Sequence, residues 1–495
     1  GAFAALYPDP AALEQAATAI GGNPAFVAFL GPVQAPTLGG LTAWRVGAFV
    51  GVMMGILNVL TLTRHTRAEE QAGRRELVGA TAVGRHAPLM AALVVMIVTN
   101  VIIGAAVAAG LVATGLDPSG SIAFGTGATV VGLVFTGVAA VAAQLFDTSR
   151  ASNAMGIGVV AVSFLLRVVG DAGSGGGLEF LSWISPIGLT QRIAPFASER
   201  WWIPAVLLAV AITAIASALA ISARRDVGAG VFGTRSGPPQ AARSLSGPLG
   251  LAVRLQRGVG VAWLAGFAVF GLLIGAATEG FAELLSENPL LRSMMELIGG
   301  ERGITDAYLA TMFSVFGMAV SAHAIGAVLW LQSEEAAGRV DPILATAVPR
   351  RRWLGSHTLV AIGAAVLDLT VIGAATGLAY GVTIDDVGGQ VPRMIGAALV
   401  QLAAVLVMVG FTMAVFAFVP RLTWVAWSAL GTAALLTLLG RSLRLSEWMI
   451  DLSPFSHLPQ VPGPAITVGP LVGLGAVAAV LVVAGFVGFQ RRDIS

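Results

Sequence analysis

The chain has no cysteine among its 495 residues, which excludes disulfides, thiolate metal sites and a cysteine nucleophile. Lysine is absent as well, and all 28 basic residues are arginine. Without lysine there is no GxxxxGK[ST] phosphate loop and no Schiff-base amine, so the chain holds no standard ATPase domain. Charge is scarce at 11%, and the formal net charge of +2 says little by itself. No aspartate-rich metal motif, HExxH or serine–histidine constellation points to enzyme chemistry. What fills the sequence is apolar: 56% of residues are hydrophobic and the mean hydropathy is +0.85. Long uninterrupted apolar runs recur along the chain. They predict an all-α polytopic membrane protein rather than a β-barrel, whose strands would be short and alternating.

Against this background one polar element occurs twice. Residues 69–85 read EEQAGRRELVGATAVGR and residues 334–350 read EEAAGRVDPILATAVPR, with ten of seventeen positions identical at an offset of 265. The shared positions include Glu69/Glu334, Glu70/Glu335, Gly73/Gly338, Arg74/Arg339 and Arg85/Arg350. Glu70 and Arg74, like Glu335 and Arg339, stand at i and i+4, the favourable order for a helix pair. Gly73 and Gly338 weaken a helix mildly and would let another backbone approach. A generic solvated loop has no reason to keep this register twice, so the element reads as a surface presented twice to a partner.

Windows of about 20 apolar residues give eleven candidate spans, near 41–63, 88–113, 122–146, 154–170, 203–222, 259–277, 307–331, 358–380, 395–418, 423–440 and 466–489. With both motif copies in the cytoplasm, nineteen of the 28 arginines fall inside, as the positive-inside rule asks. That places the C-terminus in the cytoplasm of a multi-pass plasma-membrane protein. The second half has six spans and the first five. Gly1 aligns with Gly266, inside the span 259–277. The register therefore predicts an additional N-terminal helix ending in GAFAALY and twelve spans in the native protein. The alternative is a chain of five plus six spans that begins outside.

The duplication extends further. ARRD at 223–226 and QRRD at 490–493 close the two halves, and Ser185-Pro186 and Ser453-Pro454 precede their last spans. The expected organisation is a first half at 1–222, a cytoplasmic linker at 223–257 and a second half at 258–495. Within the linker, LGLAVRLQR at 249–257 has the spacing of an interfacial helix. The outer segments 1–40 and 278–305 are helix-compatible, and Asp385-Asp386 reads as a surface turn.

The pattern E-E-x-x-G-R-x-[DE]-x-[LIV]-x-A-T-A-V-x-R resembles the coupling helix of ABC-2-type exporter permeases. With LLRVVGD at 165–171, LSWISPIGLTQRIAPF at 181–196, ERWW at 199–202 and LSPFSHLP at 452–459, the whole chain is similar to the fused double-length permeases of the polyketide-antibiotic (tetronasin-type) and multidrug exporter family. The resemblance implies two tandem halves of a type V exporter fold, with re-entrant helices before the last span of each half. It implies docking of a separate ATP-binding subunit, in two copies, on Glu69, Glu70, Gly73 and Arg74 and on Glu334, Glu335, Gly338 and Arg339. ATP and Mg would be held by that partner, with no cofactor in this chain. The other partners are membrane lipid and a small hydrophobic substrate, with no nucleic acid.

Polar residues inside spans are costly. Asn58 and His323 correspond at an offset of 265, and Asn100 and Asp368 at 268. They are candidates for a substrate path, against the plainer reading of interhelical hydrogen bonding. Arg167 and Asp171 could pair at the outer mouth, where Trp201 and Trp202 suit an aromatic belt. A major-facilitator-type drug transporter is the rival reading. Its loop signature would read nearer G-x-x-x-D-R-x-G-R-R, and here the paired glutamates come first with no such aspartate.

Overall fold

The computed structural model describes residues 10–22, 24–75, 82–172, 177–226, 228–233, 240–245, 247–286, 300–440, 445–463 and 467–492. The described residues are helical, apart from turns and one isolated bridge between Phe146 and Phe232. The chain divides into two compact units, Gly1–Gly237 and Pro238–Ser495. Ten described helices are long and apolar enough to cross a membrane. The segment expected at 423–440 is the 16-residue helix Trp424–Leu439. At 1.5 Å per residue it is about 24 Å long, short of a hydrocarbon core of about 30 Å. The expected tail helix at 1–7 lies outside the described residues.

In the first unit two short helices, Pro10–Gly22 and Pro24–Leu30, precede five long ones: Leu38–Gln71, Ala87–Ala113, Pro118–Leu145, Ser149–Ala172 and Trp202–Arg224. Pro118–Leu145 is the central element. Asp117 starts it by accepting from the Gly120 amide at 3.0 Å, with Pro118 at the first helical position. Small residues let its neighbours approach closely. A Cβ on Gly125 would stand 2.4 Å from the Gly104 carbonyl oxygen, so this crossing of Ala87–Ala113 excludes any side chain there. Before the last helix the chain breaks at Ser185-Pro186 into Phe180–Ile184 and Pro186–Arg192. Ser185 caps the second piece through the Gly188 amide.

The second unit repeats this order. Asp386 caps the helix pair Val387–Val400 and Leu402–Phe418 through Gly389, as Asp117 does its counterpart. Ser453 caps a short 3-10 turn, Pro454–His457, before the last helix Val468–Arg491. Asp385 has φ +57, the tight turn expected of this acidic pair. The stretch 249–257, expected as an interfacial helix, is helical. It forms the first turns of one helix, Pro248–Ser286. Gln256 holds these turns on the second unit by donating to the Ala327 carbonyl at 3.2 Å and meeting the His357 ring at 3.1 Å.

Candidate functional site

At each motif a long helix ends, and the two glycines explain where. Gly73 and Gly338 have φ +72 and +65, the left-handed conformation that stops a helix. In the second unit the Gly338 amide donates to Glu335 O at 2.9 Å and the Arg339 amide to Glu334 O at 3.0 Å, a Schellman turn. The space beside both glycines is open. Their role within each unit is backbone reversal. Beyond the turn only Asp341–Leu344 is helical. Val340 is buried as its anchor, and Asp341, Pro342, Ala345, Thr346 and Ala347 are exposed. Residues 76–81, which include the first copy's Ala80 and Thr81, lie outside the described residues.

Because the helix stops there, the expected i,i+4 pairs do not form. Arg74 pairs instead with Glu69, and Arg339 with Glu334 at 2.9 Å, each across the turn at i,i+5. The glutamate hydrogen bond pushes both guanidinium groups above their ordinary pKa. Both arginines are largely exposed, so the pairs add little stability.

The second glutamate of each pair meets an arginine from the end of its own half. Glu70 accepts from Arg225 at 2.8 Å and from the Gly228 amide at 2.7 Å, with Arg67 at 2.9 Å and Arg75 at 3.0 Å. Arg225 belongs to the ARRD that closes the first half. Its Nε donates to Gln144 at 2.8 Å, and its carbonyl accepts from Arg85, the last residue of the motif. In the second unit Glu335 pairs with Arg492 of the closing QRRD. Arg492 also donates to Phe416 O at 3.0 Å, and its carbonyl accepts from Arg350 at 2.7 Å, again the last residue of the motif. The same three-part latch is thus built twice: motif glutamate, tail arginine, motif arginine. Sequence reading had both halves of the signal, the EE pair and the repeated RRD, without joining them.

Deeper in the spans the residues matched by the repeat do meet. Asn58 and Asn100 exchange hydrogen bonds of 3.0 and 2.7 Å, and Thr136 donates to Asn58 at 2.6 Å, all three buried. In the second unit His323 Nδ1 lies 2.6 Å from Asp368 Oδ2, with Trp263 stacked on the imidazole at 5.3 Å. The register set by the Asp117 and Asp386 caps puts Val405 where Thr136 stands. Accordingly Asp368 Oδ1 is buried without a hydrogen-bond partner among the described residues.

Arg167 and Asp171 approach to 3.8 Å, but both are buried rather than lining an open mouth. Asp171 lies nearer Arg192, at 3.2 Å, which also donates to Ser182 at 2.5 Å, while Arg167 donates to Phe29 O at 2.7 Å. The cluster therefore ties Ser149–Ala172, the broken helix pair and Pro24–Leu30 together. Trp201 and Trp202 are exposed, and Trp202 stacks on Trp183.

Residues 245–490 match the family model described as the C-terminal domain of the multidrug efflux system permease Rv1217c. The chain is 41% identical over 491 residues to the multidrug efflux system permease protein Rv1217c of Mycobacterium tuberculosis. That alignment covers 99% of this chain and 88% of the relative.

Proposed function

The chain belongs to the family of the multidrug efflux system permease Rv1217c, and from that premise we propose that it is the membrane subunit of an ATP-driven exporter. It would move hydrophobic or amphiphilic drugs and antibiotics out of the cell. A separate ATP-binding subunit, holding ATP and Mg, would dock in two copies on the motif surfaces. The observation that carries this reading is the latch built twice, Glu70–Arg225 and Glu335–Arg492, beneath two exposed turns. A push on either turn reaches the last helix of the same unit through one ion pair and one backbone hydrogen bond. That is the rigid coupling a partner-driven, alternating transporter needs. Docking falls to the exposed residues Arg74, Arg339, Asp341, Pro342 and Ala345–Ala347. Glu70 and Glu335 hold the turn in place from behind. Asn58, Asn100, His323 and Asp368 are assigned to the substrate path, where matched polar pairs interrupt apolar walls.

The test is ATP hydrolysis and drug transport by the permease co-purified with its ATP-binding subunit. Replacing Glu70 and Glu335 together by alanine should uncouple hydrolysis from drug stimulation. Unchanged stimulated hydrolysis would overturn the coupling assignment. Full transport by the permease alone on a proton gradient would favour a secondary transporter.

A further inference from the structure

The two latches differ in one respect that coupling does not require. The 265 register pairs Arg67 with Gln332 and Arg75 with Val340, so the first unit carries two guanidinium groups that the second lacks. Both sit against Glu70, and with Arg225 they wall a cavity of about 160 Å³. The cavity lies between the ends of Leu38–Gln71, Ala87–Ala113 and Pro118–Leu145, and Leu89 and Gln144 also line it. Four arginines line it, counting Arg74, against two carboxylates, Glu69 and Glu70. Asp147 acts on Arg67 from outside the lining and leaves the balance positive.

Arg67 is 1% exposed, and a buried guanidinium needs acceptors for its N–H groups. Its Nε and Nη2 donate to Phe146 O and Ala229 O at 2.5 and 3.0 Å. Nη1 makes an ion pair with Glu70 Oε2 at 2.9 Å and has no other acceptor among the described residues. A cavity at the end of membrane helices, with guanidinium groups in excess of carboxylates, has the chemistry of a phosphate site. We propose that this cavity of the first unit binds a phosphate group, with Arg67 and Arg75 sharing their charge between it and Glu70. The second unit has Gln332 and Val340 at the matching positions. The proposal does not rest on ATP-driven export.

The experiment uses the full chain in mild detergent and reads binding by native mass spectrometry. One arm titrates phosphatidylglycerol, a second inorganic phosphate, and a third phosphatidylcholine. Arg67→Gln/Arg75→Val writes the second unit's residues into the first and should weaken phosphatidylglycerol binding by about thirty-fold. The converse variant, Gln332→Arg/Val340→Arg, should add a second bound phosphate and keeps the test decisive if the first variant fails to fold. Tight phosphatidylglycerol with weak inorganic phosphate identifies a lipid headgroup. Comparable binding of both identifies a free phosphate, and either supports the site. Phosphatidylglycerol binding that the loss variant leaves unchanged, or that phosphatidylcholine matches, overturns it. If the loss variant does not fold, a converse variant that binds no more phosphate than the wild type overturns it.

Discussion

The two latch glutamates have the same register and different surroundings, and that difference is measurable. Glu70 is 3% exposed in its side chain and faces three arginines, whereas Glu335 is 13% exposed and pairs with Arg492. Removing one partner of a buried charge pair costs about 3–5 kcal/mol, because the remaining charges are left uncompensated. Glu70→Ala should therefore lower the thermal unfolding midpoint of the purified protein clearly more than Glu335→Ala. Equal shifts would mean that burial does not distinguish them. The second residue-scale case is His323–Asp368. His323→Ala leaves Asp368 buried without its partner and should destabilise by about 3 kcal/mol. His323→Asn/Asp368→Asn, which copies the first unit's pair, should recover most of that loss in a double-mutant cycle of unfolding midpoints. If the recovered protein still transports drug normally, the pair serves packing alone.

At the scale of elements, the motif is a lesson in how a helix end changes its pairs. Spacing of i and i+4 presumes a continuous helix, and the glycine at the third position after the second glutamate stops it. Gly73→Ala or Gly338→Ala forces a side chain into φ +72 or +65, at about 1–2 kcal/mol. Drug-stimulated ATP hydrolysis of the co-purified pair should fall with the alanine variants and be largely kept by Gly338→Asn, since asparagine tolerates this region. The Ser-Pro repeats were legible as a pair, and the structure gives them a physical role as caps of the broken helices. Ser185→Ala should cost about 1 kcal/mol, seen as a lower unfolding midpoint. Its loss would exceed that of Ser453→Ala, because Ser185 donates to Ser163 O at 2.6 Å and accepts from Gly188 at 3.0 Å, whereas Ser453 donates to Ala433 O at 3.2 Å and accepts from Phe455 at 3.3 Å.

For the whole molecule the export reading predicts that proteoliposomes holding the permease alone do not concentrate a lipophilic drug. Those that also hold its ATP-binding subunit should do so when ATP and Mg are supplied on the motif side. Drug accumulation measured with and without ATP separates these outcomes. Arg225→Ala/Arg492→Ala should bind the ATP-binding subunit while losing transport, since the docking residues stay exposed and only the connection to the last helices is cut.

Composition and register alone determined much of this protein. The absence of lysine and cysteine, the apolar runs and the 265-residue repeat predicted a helical membrane protein in duplicate, along with the polar residues that meet inside each unit. These features are local or periodic, and a lipid environment leaves apolar segments few alternatives to the helix. Tertiary structure decided which glutamate of each pair meets the closing arginine of its half. Glu70 and Arg225 are 155 residues apart, and Glu335 and Arg492 157. Such a pairing depends on where a helix stops and on which tail folds back beneath it. It also decided that Arg67 and Arg75 line a cavity of the first unit, since charge excess around a carboxylate is a property of packing in three dimensions.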